Sequence, residues 1–147
     1  MDAPYDSLDE HLSRCSDLAQ AAVPMGMLLA WCTNLQLLSS DFVAAHERVV
    51  LRVRMQEITG SELLVQDGGN LTAGMFSAQG NAFLQQYYPD YLTDYQEVFG
   101  ELYGVADNWQ NYARLAKVLT ARYMSTRQTQ TTGLTVKLAR WLKWLRR

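Results

Sequence analysis

The stretch DNWQNYARLAKVLTARY, residues 107–123, decides the fold class. Its apolar residues Trp109, Tyr112, Ala116, Leu119 and Tyr123 recur at intervals of 3, 4, 3 and 4. That spacing lines one face of an α-helix, whereas a half-buried strand would alternate. Asp107 stands immediately before it, where an N-cap accepts one of the first free amides. The segment predicts a helix.

Downstream, residues 125–133 are polar and rich in Thr and Gln, and predict a linker. Beyond them Leu138, Trp141, Leu142 and Leu145 share one helical face, and Lys137, Arg140, Lys143, Arg146 and Arg147 surround these residues and Trp144. The expected organisation is a helical domain over 1–124, a linker over 125–133 and a basic amphipathic helix over 134–147. A helix of about 12 residues is marginal alone in water. This one needs a surface: an anionic membrane, a second copy, or the acidic face of its own chain. Lys137, Arg140, Trp141, Lys143 and Trp144 are its candidate contacts.

Upstream the same periodicity recurs. Asp6-Ser7 predicts a cap for a short helix carrying Leu8, Leu12 and Cys15. Pro24 suits a first helical turn, which places a buried helix over Met25, Leu28, Leu29, Trp31, Cys32 and Leu35. Ser39-Ser40 restarts the chain into Phe42, His46, Val49, Val50 and Val53. There the alternation of Leu51 to Met55 competes as a strand, but helical spacing covers more of the segment. Thr59 and Glu62 have capping-box spacing, and Asp67-Gly68-Gly69-Asn70 reads as a turn. Ser77 caps a helix through Phe83 and Tyr88, Pro89 ends it, and Asp90 begins another through Tyr91, Tyr95 and Phe99. The fold class is all-α: a compact bundle of about six to seven short helices with a separate C-terminal amphipathic helix.

At 147 residues, 48% hydrophobic and 19% charged, the chain is long and apolar enough for one self-supporting core. Its most apolar stretch, Leu18 to Leu38, is interrupted by Gln20, Pro24, Thr33, Asn34 and Gln36, which argues against a membrane span. The first residues are acidic where a secretion signal would be basic, and two cysteines fit a reducing cytoplasm. The expected location is cytoplasmic. The net charge of −2 conceals a division. Residues 1–107 hold all 15 acids and four bases, a net of −11, while 108–147 hold nine bases and no acid, a net of +9. Such asymmetry bears on association, either between the two parts or with another molecule.

Catalytic chemistry needs a nucleophile, a base and an orienting group, or a metal set. His11, Cys15, Cys32 and His46 are the available ligands, but they lack the close pairs of a structural zinc site. Cys32 reads as a small buried hydrophobe and His46 as a core or boundary histidine. Gly68-Gly69 lacks the Lys and the preceding strand of a phosphate loop. No cofactor, metal or enzymatic activity is expected, and no nucleic-acid partner.

Asp90, Asp94, Glu97 and Glu101 are spaced 4, 3 and 4, and five of the eight tyrosines (Tyr87, Tyr88, Tyr91, Tyr95 and Tyr103) run beside them. Like charges one turn apart do not favour a helix, and tyrosine is concentrated at binding hot spots. Asp90, Tyr91, Asp94, Tyr95, Glu97 and Glu101 are therefore candidate partner-binding residues. The other reading makes Tyr91 and Tyr95 core and the acids a solvated face.

Four motifs carry a resemblance: Met25-Gly26-Met27-Leu28-Leu29-Ala30-Trp31; Gly80-Asn81-Ala82-Phe83 with Tyr87-Tyr88; Tyr91-Leu92-Thr93-Asp94-Tyr95; and Leu102 to Trp109. Together they resemble the signature of a family of small bacterial proteins without assigned activity, over roughly residues 4 to 124. The family's N-terminal Tyr-Asp-Asp and His pattern is kept in part by Tyr5-Asp6 and His11. The resemblance implies an all-α fold and a bacterial cytoplasmic setting. Proteins of this size and kind include immunity partners of secreted antibacterial toxins. The expected function is thus a non-catalytic interaction module, an immunity protein that occludes a toxin such as a type VI secretion effector or a nuclease. The alternative is a membrane-associated or self-assembling protein that uses its basic tail.

Overall fold

The structure, a computed structural model, describes residues 3–145, with the side chains of all but 130–136. The element order is β1 (Asp6–Ser7), α1 (Leu8–Leu12), α2 (Leu18–Asn34), α3 (Ser40–Ala45), α4 (Glu47–Arg54), α5 (Gly60–Gln66), β2 (Asn70–Leu71), a 3-10 turn (Ala73–Met75), α6 (Ala78–Phe99) and α7 (Trp109–Leu145). It is an all-α domain with one small antiparallel pair, Asp6 opposite Leu71 and Ser7 opposite Asn70. The turn at Gly68 and Gly69, both at positive φ, therefore sends its returning strand to the N-terminus and not into a hairpin.

The core is built around α2. Every residue from Ala21 to Thr33 is buried, as expected of a helix that is apolar on all sides. Its closest neighbour is α5. A Cβ on Gly60 would lie 1.9 Å from the Gly26 carbonyl oxygen, and one on Gly26 would lie 2.5 Å from the Ser61 nitrogen. Two glycines thus let the backbones touch. On the opposite side Trp31 packs on Phe83 and Tyr123, and its Nε1–H donates to Thr120 Oγ1 at 3.1 Å. A ladder of rings, Phe83, Tyr87, Tyr91, Tyr95 and Phe99, runs down α6 at one-turn intervals.

Several expectations are corrected. Helix α2 begins at Leu18, where the Asp17 carboxylate accepts the Gln20 amide, so Pro24 lies inside it. Pro89 likewise lies inside α6, which runs unbroken from Ala78 to Phe99. In each case proline frees only the carbonyl four residues back, belonging to Gln20 or Gln85, both exposed residues that water can reach. The third segment is helical but divides at His46 into α3 and α4. Thr59 precedes α5 without a side-chain cap bond. At the start of α7 the cap is Asn108, whose Oδ1 accepts the Asn111 amide at 2.8 Å, and not Asp107.

The largest difference lies at 125–133. The expected linker is helical, and α7 continues through it for 37 residues in all. Thr126 and Thr129 donate their hydroxyls to the carbonyls of Arg122 and Ser125, four residues back, at 3.0 and 3.1 Å. Their side chains are thereby satisfied inside the helix instead of competing with it. Tyr123 is the last buried residue described in α7.

Candidate functional site

Two buried carboxylates organise the polar chemistry, and neither acts alone. Asp6, on β1, is held where the N-terminal segment crosses α6. Its Oδ1 accepts the Ser7 amide at 2.8 Å, while its Oδ2 meets His11 Nε2 at 2.7 Å and accepts the Tyr88 hydroxyl. His11 is only 2% exposed, and its Nδ1 lies 2.7 Å from the hydroxyl of Tyr103. One residue before Asp6, the Tyr5 hydroxyl donates to Asn81 Oδ1 at 2.6 Å. Asn81 in turn donates to the carbonyls of Ala73 and Phe76.

The electrostatics follow from burial and partners. Burial pushes the Asp6 carboxyl up, but the hydrogen bonds from His11, Tyr88 and the Ser7 amide outweigh it and hold the group below the usual carboxylate range. Burial and the Asp6 charge push the Tyr88 hydroxyl well up, so it stays a proton donor. Burial also raises Tyr103. With Asp6 ionised, the imidazole faces it with Nε2 as donor, while Nδ1 pairs with the Tyr103 hydroxyl. The order carboxylate, imidazole, hydroxyl matches a proton relay. Both ring nitrogens are occupied, however, and the ring is enclosed. The network fastens β1 and α1 to α6 and to the segment after it.

The second carboxylate is Asp94, on α6. Arg122 of α7 grips it with two bonds, Nε to Oδ2 and a terminal nitrogen to Oδ1, each 3.0 Å, and Tyr87 donates to Oδ2 at 2.7 Å. Burial raises the Asp94 carboxyl, and the Arg122 and Tyr87 bonds more than offset that, leaving it lowered. This fork joins α6 to α7.

The expected partner-binding stripe is thereby divided. Tyr91 and Tyr95 are fully buried, and Tyr91 donates its hydroxyl to the Pro24 carbonyl. They are core residues, and Asp94 is an internal ion-pair partner. Asp90 and Glu97 are exposed, two helical turns apart, with Glu101 exposed just past Gly100, which ends α6 at φ 79°. The inner face of α6 advances by the ring ladder, so acids on that face turn inward and the others outward. No cation lies within 4 Å of Asp90, Glu97 or Glu101 among the described residues.

Of the tail contacts, Lys137, Arg140, Trp141, Lys143 and Trp144 are all exposed; Arg146 and Arg147 lie outside the described residues. Leu138, Trp141, Leu142, Trp144 and Leu145 are between 46% and 72% exposed. The other residues weighed for chemistry are placed separately. Cys32 is sealed in α2, where burial raises its thiol. Cys15 is half-buried beyond α1. The His46 ring lies tilted against Phe42, with centroids 4.4 Å apart, and meets Asp67 at 3.1 Å. The Asp6–His11–Tyr103 network escaped sequence reasoning, although the partial Tyr5-Asp6 and His11 motif pointed toward it. No described helix is long and apolar enough to cross a membrane.

Set beside known proteins, the chain belongs to the family described as a domain of unknown function, DUF7832, which matches residues 4–106. The match takes in both strands and α1 to α6 and stops before α7. No curated protein and no solved structure matches the chain.

Proposed function

We propose that this protein is a non-catalytic interaction module of the bacterial cytoplasm, an immunity protein that occludes the active site of a secreted toxin. The observation that carries this reading is the outer edge of α6, where Asp90, Glu97 and Glu101 stand exposed with no cation within 4 Å of them among the described residues. An exposed acidic edge on a rigid helix is complementary to a basic groove, and a nuclease's nucleic-acid site is such a groove. Rigidity comes from beneath, through the ring ladder and the Asp94–Arg122 fork. The enclosed histidine supports a binding role over a catalytic one, since its ring nitrogens are already engaged.

The test is co-expression with a toxin encoded beside its gene. The wild-type chain should restore growth, and the triple variant Asp90→Lys, Glu97→Lys, Glu101→Lys should not, while keeping its helical circular dichroism spectrum. Steering charges act mainly on association, so binding of the purified pair should slow as salt rises. Protection that survives the triple variant, or no protection by the wild type, would overturn the reading.

A further inference from the structure

The described side chains at the basic end of α7, residues 137–145, are all exposed, so the acidic part of their own chain does not cover them. Helix α7 runs without a break from Trp109 to Leu145, and its first half is fixed on α6 and α2. The residues beyond Tyr123 therefore continue along the same axis for about 33 Å at 1.5 Å per residue. Near the end of α7 they carry an apolar face and the cations Lys137, Arg140 and Lys143 into solvent. The body, in turn, has an apolar cleft between the start of α2 and α5, about 520 Å3 in volume. Leu18, Ala22 and Val65 form its walls, and Leu18 and Val65 remain 48% and 42% exposed. Glu62 and Asp107 also line it, with no cation within 4 Å among the described residues.

We propose that this cleft receives the C-terminal end of α7 from a second copy of the chain, with Trp141 or Trp144 entering between Leu18 and Val65 and the tail cations meeting Glu62 and Asp107. Two copies would exchange tails reciprocally, which satisfies both surfaces with one interface type, as twofold symmetry requires. Charge selects this occupant. A tail paired with another tail would set cations against cations. An anionic membrane would attract the tail but repel a body whose first 107 residues carry a net −11. A second copy offers both the apolar floor and the carboxylates, and the proposal is independent of any toxin.

Light scattering on the full-length chain over a concentration series tests it. The wild type should shift from monomer to dimer, with a dissociation constant that rises with salt. The cleft variant Glu62→Lys, Asp107→Lys and the tail variant Lys137→Glu, Arg140→Glu, Lys143→Glu should each bind themselves on the order of tenfold or more weakly. Mixed together, the two variants should dimerise again, because each then meets an opposite charge. Trp141→Ala, Trp144→Ala, which alters only exposed residues, should also be monomeric. A wild type that stays monomeric overturns the proposal, even if it binds phosphatidylserine vesicles. So does a dimer lost in the tail variant and untouched in the cleft variant, or a mixture that remains monomeric.

Discussion

In the first half of α7, Leu115, Leu119 and Tyr123 are buried, whereas near its end Leu138, Trp141, Leu142 and Leu145 are each at least 46% exposed. Both halves have helical spacing and both carry cations. They differ in what meets them. The first half is tied to α2 by Trp31 on Thr120 and Asn34 on Tyr112, and to α6 by Arg122 on Asp94 and Gln79 on Tyr123. The costly step in forming a helix is its first turn, and each added residue then gains a hydrogen bond. A helix nucleated by packing over its first four turns can therefore extend beyond the core that stabilises it. Periodicity shows which residues share a face, and only the tertiary partners show whether the face is covered.

The contrast can be broken by substitution. Leu119→Ala should destabilise the fold by about 2–5 kcal/mol, the cost of emptying a fully buried leucine site, read as a shift in urea midpoint. Leu142→Ala should stay within about 0.5 kcal/mol at concentrations where the chain is monomeric. Equal losses would mean that the tail belongs to the core.

A smaller effect is expected at the fork between α6 and α7. Asp94→Asn weakens the pair and should cost about 1–3 kcal/mol near neutral pH. Because the folded carboxyls of Asp94 and Asp6 lie below their unfolded values, the unfolded chain binds more protons as the medium turns acid. Their contribution is fully present above the ordinary carboxylate range, near pH 4, and is lost as pH falls through the lowered folded values. The acid limb of the stability curve should be shallower in Asp94→Asn than in the wild type. The smallest effect belongs to the tail. Cutting after Met124 should leave the unfolding free energy of the monomer within about 0.5 kcal/mol, with the helical signal reduced in proportion to the residues removed.

Much of the fold is legible in the sequence because its signals are local. Ser7 and Ser77 accept the amides that cap α1 and α6, and the spacing of Phe42, Val50 and Val53 gives helix at an ambiguous place. The prolines mislead, since a rule about one lost hydrogen bond is weaker than the packing of α2 and α6 on either side of it. The linker misleads because Thr-rich composition suggests breakage, while each hydroxyl here finds a carbonyl within its own helix. The carboxylate networks are hidden for another reason. Tyr88 reaches Asp6 across 82 residues and Tyr103 reaches His11 across 92, a distance that no periodicity encodes. Asp94 looked like part of an acidic stripe because its inward turn depends on α7, which is 28 residues away at Arg122.

The unbroken course of α7 also couples the tail to the body by angle. Each residue of an α-helix advances the chain by about 100° around its axis, so the 125–133 stretch works as a gearing and not as a tether. Deleting one residue there would rotate the Trp141 face about a quarter turn away while moving it only about 1.5 Å along the axis. Deleting seven would shorten the projection by about 10 Å and return the face almost to its original heading. A function that depends on where the tail points would be lost in the first case and kept in the second, although the first removes far less of the chain.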